Sequence, residues 1–154
     1  MLPGTALREG RVVPPVSFRS AGSTIALSRF RHRTALVLAF LHERCAECGA
    51  FAGHLRDVED DFGWAGAIAR AVVPEDEDLA IPVLVDPGGR ATRTLLGADA
   101  VLPAVVILDR YGAATSAVPA TGHRFPSTDD LVQTVTHLAL QCPECGVSDW
   151  PDDE

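Results

Sequence analysis

The chain has 154 residues, a formal net charge of −8 and 47% hydrophobic residues, which fits one ordinary globular domain. All thirteen basic residues are arginine. The absence of lysine excludes Schiff-base catalysis and a phosphate-binding loop that depends on lysine. An acidic chain without a basic cluster also argues against nucleic acid or an anionic membrane as a partner.

We expect no secretion signal in the N-terminal residues. Arg8, Glu9 and Arg11 interrupt residues 1–15, and no apolar run of signal-peptide length is present. The longest apolar run in the chain is too short to cross a bilayer. We therefore expect a cytoplasmic protein, in a compartment where cysteine pairs are more often catalytic or metal-binding than structural.

The first elements predict a small hairpin followed by a buried strand. Residues 12–18 and 25–27 flank a turn at residues 19–23, which is typical of a β-hairpin. Residues 34–41, TALVLAFL, form an apolar run that suits a strand buried on both faces of a sheet covered by helices.

Two cysteines follow this strand after a short turn. Cys45 and Cys48 stand where the strand gives way to a helical pattern, in which Phe51, Leu55, Val58 and Phe62 share one face. The N-terminus of a helix stabilises a thiolate through its free N–H groups and its dipole. A CxxC pair can also bind a metal or be inert, but a strand before it and a helix after it favour redox chemistry.

The remainder of the chain predicts further alternation of strands and helices. Ser127 is a suitable N-cap for a helix that extends to about residue 141. Alternation of this kind indicates an α/β sheet with an antiparallel edge. The other predicted elements are strands at 67–73, 83–85, 104–108 and 114–118, and a short helix at 91–96.

Four segments in this order resemble thioredoxin-fold redoxins of the thioredoxin-like and peroxiredoxin-like group. They are residues 13–18, the strand into the CxxC pair, residues 83–90 (VLVDPGGR) and residues 102–112 (LPAVVILDRYG), and the resemblance extends from about residue 13 to residue 141. It implies a thioredoxin-like three-layer α/β/α sandwich with a mixed sheet and an N-terminal β-hairpin extension. Residues 1–141 would form this domain, and residues 142–154 an acidic, cysteine-containing tail.

The resemblance also implies roles for individual residues. Cys45 would be the attacking thiol and Cys48 the resolving thiol. Pro103 would be the proline whose cis peptide faces the pair, and Arg44, Leu102 and Pro103 would line a groove for the substrate.

Two departures from the family pattern affect the expected chemistry. Thioredoxins have Trp before the pair and Gly-Pro within it, whereas this chain has Arg44 before it and Glu47 within it. Arg44 should favour a thiolate at Cys45 and ionised Glu47 should oppose it, so that the two effects partly cancel. Peroxiredoxins place Thr or Ser three residues before the reactive cysteine and Pro seven before, where this chain has His42 and Leu38. The peroxidase pattern is therefore incomplete.

A second CxxC pair lies in the tail. Cys142 and Cys145, in CPECG, could form a second dithiol, bind zinc between two chains, or be structural. The predicted helix before them is about 22 Å long at about 1.5 Å per residue, which argues against a zinc site shared with Cys45 and Cys48 in one chain.

The sequence therefore predicts a thiol–disulfide oxidoreductase that acts on disulfides of proteins or small molecules and is regenerated by a thiol donor protein. The alternatives are a peroxiredoxin-like thiol peroxidase, and a redox-inactive module that binds zinc or a partner protein. No cofactor is expected, apart from possible zinc at Cys142 and Cys145. We expect a monomer or a homodimer.

Overall fold

A computed structural model describes residues 1–141. In this part of the chain a seven-stranded mixed sheet is covered by four α-helices, which confirms the predicted α/β/α architecture. The strands are β1 (Ser17–Ser20), β2 (Ser23–Ala26), β3 (Ala35–Phe40), β4 (Ala67–Val73), β5 (Val83–Val85), β6 (Ala104–Leu108) and β7 (Ala114–Pro119). The helices are α1 (Ala46–Asp57), α2 (Glu59–Trp64), α3 (Arg90–Leu96) and α4 (Thr128–Leu140), and 3₁₀ turns span Leu27–Phe30, Pro87–Gly89 and Thr121–His123.

Strand β3 lies near the centre of the sheet, in the order β2-β1-β5-β4-β3-β6-β7. It pairs parallel with β4 and antiparallel with β6, and all six of its residues are buried. Successive side chains point to opposite faces of a strand. Val37 and Ala39 therefore pack against α1, α2 and α4, while Leu38 and Phe40 pack against α3 and the N-terminal segment.

The N-terminal hairpin is confirmed, but its first strand is shorter than predicted. Val12 makes only an isolated bridge with Ala113, and regular pairing with β2 begins at Ser17. Pro14 and Pro15 intervene, and a proline has no N–H to donate to a strand ladder.

The predicted single helix after the CxxC pair is two helices. Val58 has φ −109° and ψ 15°, which ends α1, and α2 begins at Glu59 with three acidic residues in its first turn. Acidic side chains are favourable at a helix N-terminus, so the sequence supports a new start here. Phe51, Leu55 and Phe62 are nevertheless all buried in the same core, as their spacing indicated.

Three strand ends meet at one end of the sheet. Phe40, the last residue of β3, pairs with Ala104 at the start of β6, and Ala104 pairs with Pro119 at the end of β7. The residues that follow β3, precede β6 and follow β7 are therefore neighbours. This end of the sheet, which we call the cysteine end, carries the CxxC pair.

No helix in residues 1–141 is both long enough and apolar enough to span a membrane.

Candidate active site

Cys45 is the N-cap of α1. Its backbone is extended (φ −112°, ψ 120°), and its Sγ accepts a hydrogen bond from the backbone N–H of Cys48 at 3.4 Å. The sulfur thus occupies the position that a Ser or Asp oxygen takes in an ordinary helix cap. An N–H group and the positive end of the helix dipole both favour negative charge on this sulfur.

Cys48 lies one turn inside the helix and is only 1% exposed. Burial raises the pKa of its thiol to about 12, and a hydrogen bond to the Cys45 sulfur and the negative charges of Cys45 and Glu47 act in the same direction. A backbone hydrogen bond from His42 opposes these effects without cancelling them. Cys48 is therefore a neutral thiol near pH 7, and Cys45, which is partly exposed, is the thiol that can attack a partner.

His123 contacts Cys45 from the other side. Its Nε2 lies 3.4 Å from the Cys45 Sγ, and its Nδ1 lies 3.1 Å from Oε2 of Glu47. The carboxylate is an acceptor, so the proton is assigned to Nδ1, and Nε2 then faces Cys45 as a proton acceptor. Glu47, His123 and Cys45 form the acid–base–nucleophile sequence that activates thiols in many enzymes.

Two contacts hold His123 in this place. The backbone N–H of Ala120 donates to the carbonyl of Pro103 at 2.9 Å, which fixes the start of the segment against β6. Beyond His123, the ring of Phe125 stacks on Phe51 of α1 with centroids 4.2 Å apart and planes within 7° of parallel. His123 itself has φ 61°, a left-handed conformation that His, Asn and Asp adopt more readily than most residues.

His42 completes a cluster of four side chains. Its Nδ1 lies 3.3 Å from Nε2 of His123 and 4.0 Å from the Sγ of Cys48. One ligand atom from each of His42, Cys45, Cys48 and His123 lies within 4.8 Å of the others. The same atoms could therefore exchange protons or hold a metal ion.

The predicted groove residues lie at the cysteine end of the sheet. The Leu102–Pro103 peptide bond is cis, as the resemblance implied, and it directly precedes β6. Arg44 has φ 50°, and its guanidinium faces Glu75, with Nη2 3.4 Å from Oε2. The backbone N–H of Arg44 donates to the carboxylate of Glu77 at 3.3 Å. The contribution of Arg44, Leu102 and Pro103 to substrate binding stays a prediction.

Sequence reasoning missed His123 and assigned Glu47 only an opposing charge. In the structure Glu47 is paired with the imidazole of His123. A signal was available, since residues after β7 must lie beside those that precede β6 if the two strands form a hairpin. With Pro103 expected near the cysteines, a histidine soon after β7 was a candidate partner for Cys45.

The second cysteine pair, Cys142 and Cys145, lies outside the described residues, and so does the predicted tail. The proposed alternatives for that pair stay predictions.

Comparison with known proteins gives relatives only at the level of structure. The sequence matches no protein-family profile and no curated protein. The fold is similar to the thioredoxin domain of a thiol-disulfide oxidoreductase from Bacteroides vulgatus, with a TM-score of 0.67, 16% identity, and 87% of this chain and 99% of that one covered. It is also similar to a secreted thiol-disulfide isomerase from Corynebacterium glutamicum, with a TM-score of 0.69, 19% identity and coverage of 84% and 86%.

A reduced 2-Cys peroxiredoxin from Plasmodium vivax is similar as well, with a TM-score of 0.71, 14% identity and coverage of 82% and 79%. At identities this low, the structural similarity establishes the fold alone, which is the thioredoxin fold. The neighbours include both disulfide-exchanging proteins and peroxiredoxins, and one is described as secreted. The cytoplasmic location expected from the sequence stays a prediction.

Proposed function

We propose that this chain is a thiol–disulfide oxidoreductase that reduces disulfide bonds in a partner protein or small molecule. The observation that carries the proposal is the asymmetry of the pair: Cys45 is a partly exposed helix cap, and Cys48 is a buried thiol one turn inside. In such a pair the exposed sulfur can attack a partner disulfide. The buried sulfur can then attack only the mixed disulfide that forms on Cys45.

In the first step, Cys45 transfers its thiol proton to Nε2 of His123, and the thiolate attacks one sulfur of the partner disulfide. The partner S–S bond breaks as the Cys45–partner bond forms. The sulfur that leaves takes the proton back from His123. Glu47 holds the imidazole in the required tautomer and stabilises its transient positive charge.

In the second step, Cys48 attacks the Cys45 sulfur of the mixed disulfide. The negative charge of Cys45, which helps to keep Cys48 protonated, is absent once that sulfur is covalently bound. The Cys48 proton passes to the departing partner sulfur. His42, with Nδ1 4.0 Å from the Cys48 Sγ, and His123, with Nε2 3.3 Å from that nitrogen, lie beside this transfer. The products are a Cys45–Cys48 disulfide and a partner dithiol, and a dithiol donor protein would regenerate the enzyme.

Peroxide reduction is the competing reaction, because peroxiredoxins share the fold. That reaction would oxidise Cys45 to a sulfenic acid, which Cys48 would then convert to a disulfide. The family's hydroxyl and proline positions before the reactive cysteine are occupied here by His42 and Leu38. Disulfide exchange needs neither of those residues, and the sequence therefore favours it.

Insulin reduction with dithiothreitol as donor tests the proposal. We expect the wild-type chain to accelerate insulin reduction and Cys45→Ser to lose this acceleration. Cys48→Ser should accumulate a mixed disulfide with the substrate that mass spectrometry locates at Cys45. Hydrogen peroxide consumption that greatly exceeds insulin reduction would contradict the proposal in favour of a peroxidase. Failure to trap the substrate on Cys45 in Cys48→Ser would contradict the proposed mechanism.

A further inference from the structure

The four side chains at the cysteine end of the sheet have the composition of a tetrahedral metal site. Two sulfur atoms come from Cys45 and Cys48, and two imidazole nitrogens come from His42 and His123. Two cysteines and two histidines are an established ligand set for zinc. Thiolates and imidazoles are softer ligands than carboxylates, and they favour zinc over magnesium or calcium.

The separations between these atoms agree with that geometry. Bonds of about 2.3 Å to sulfur and about 2.0–2.1 Å to nitrogen give tetrahedral edges of about 3.3–3.4 Å between nitrogens and about 3.5–3.6 Å between sulfur and nitrogen. The structure has 3.3 Å between His42 Nδ1 and His123 Nε2. Its sulfur–nitrogen separations are 3.4 Å for Cys45 with His123 and 4.0 Å for Cys48 with His42. The other three separations are no more than 4.8 Å. Modest movements of the side chains would therefore complete the tetrahedron.

The surroundings support a bound cation as well. Glu47 accepts from Nδ1 of His123, which leaves Nε2 as a free ligand, and carboxylates commonly orient metal-binding histidines in this way. Two thiolates balance the charge of a divalent ion, so that the ion and its sulfur ligands together are neutral. This matters because Cys48 is almost completely buried.

We propose that the reduced chain binds one Zn²⁺ ion through His42, Cys45, Cys48 and His123. Binding releases the two thiol protons to solvent, since each sulfur binds as a thiolate. The site differs in position from the zinc site that the tail sequence suggested at Cys142 and Cys145.

Metal binding and the proposed redox function use the same sulfur atoms, but neither requires the other. Oxidation by a disulfide removes two electrons and two protons from the thiols and joins Cys45 to Cys48, while the oxidant becomes a dithiol. The oxidised pair has no thiolate to offer. Zinc should therefore bind the reduced form alone, and it should block attack by Cys45 while it is bound.

The test is a metal titration of the full chain with Cys142→Ser and Cys145→Ser, which removes the tail thiols as competing ligands. The reduced protein is titrated anaerobically with Co²⁺ as a spectroscopic probe, and Zn²⁺ then displaces it. We expect one ion per chain and absorption bands of a tetrahedral cobalt–thiolate site. The same protein with a Cys45–Cys48 disulfide should show no such site, and this comparison involves no further substitution.

Substitutions then test each ligand. Loss of a residue that only hydrogen-bonds to a metal ligand weakens metal binding by about 10- to 100-fold, and Glu47→Gln should fall within that range. Loss of a ligand itself should weaken zinc binding by more, and this is expected for His42→Ala, His123→Asn and Cys48→Ser. Asn is used at position 123 because it tolerates the left-handed backbone there. His54→Ala, on the exposed side of α1, is the matched control and should bind zinc as the wild-type chain does.

Zinc affinity that is unchanged in His42→Ala and His123→Asn would overturn the proposal, because the two sulfurs alone would then account for binding. Equal binding to the oxidised chain would also overturn it. Insulin reduction by metal-free protein is a separate measurement, so that failure of this site and failure of the oxidoreductase proposal are distinguishable.

Discussion

The Sγ atom of Cys45 lies 3.4 Å from Nε2 of His123, although 78 residues separate the two in the chain. The antiparallel pairing of β6 with β7 produces this contact by placing the 3₁₀ turn Thr121–His123 beside the start of α1. Since an imidazole at this distance can take a thiol proton, the proposed nucleophile has a candidate base beside it.

Replacing this base should slow disulfide reduction. We expect His123→Asn to lower the rate of insulin reduction near pH 7 by about 10²-fold, the lower end of what general acid–base catalysis contributes. The reason is that Cys45 would have to ionise without a partner for its proton. Circular dichroism should show an intact fold. His54→Ala is the control and should keep the wild-type rate, and a wild-type rate in His123→Asn would remove His123 from the mechanism.

Glu47 should act only through His123. Its side chain is 67% exposed and that of His123 27%, so their contact contributes about 1 kcal/mol or less, and Glu47→Gln should reduce the rate by about 10-fold at most. The informative measurement is a double-mutant cycle of rates. In the His123→Asn background, Glu47→Gln should have almost no further effect. Additive losses would show that Glu47 has a separate role, such as repulsion of the Cys45 thiolate.

The buried thiol of Cys48 should make the stability of the reduced protein fall at alkaline pH. The unfolded thiol ionises near its ordinary pKa of 9.0, while the folded one retains its proton to about 12. Between these values the unfolded state binds fewer protons, so the free energy of unfolding should fall by about 1.4 kcal/mol per pH unit from this group. The contribution is fully present below pH 9 and is lost as the pH rises toward 12.

Urea unfolding from pH 8 upward, with reductant and chelator, measures this slope. The chain has no lysine, which is often the most numerous group that titrates in this range. Cys48→Ala should lose most of the slope, whereas Cys45→Ser should retain it, since burial of Cys48 is the largest cause of its shift. Equal slopes in Cys48→Ala and the wild-type chain would contradict the assignment of a neutral thiol to Cys48.

The sequence predicted the parts of the fold that depend on local pattern. The strands at 67–73, 83–85 and 104–108 have the predicted bounds, and the Ser127 side chain caps α4 through the N–H of Asp130 at 3.1 Å. Apolar runs bounded by turn residues, and cap residues at fixed spacing, are short-range signals. The break at Val58 was missed because the apolar period continues across it to Phe62, which remains in the core.

Local sequence patterns predicted only one half of the site. Cys45 and Cys48 are three residues apart and their environment follows from the strand and helix that flank them. His123 reaches them through the pairing of three strands, and Glu47 acquires its role only once His123 is in place. Local patterns do not show such contacts, because Glu47 and His123 are far apart in the sequence and only the pairing of the strands brings them together.

The central claim is that Cys45 is the nucleophile, and competitive labelling tests it most directly. The fully reduced, metal-free chain is treated with limiting iodoacetamide near pH 7, and peptide masses show the order in which the four cysteines react. We predict that Cys45 is labelled first and Cys48 last, and that His123→Asn slows only the labelling of Cys45. Labelling of Cys48 or Cys145 before Cys45 would contradict the account.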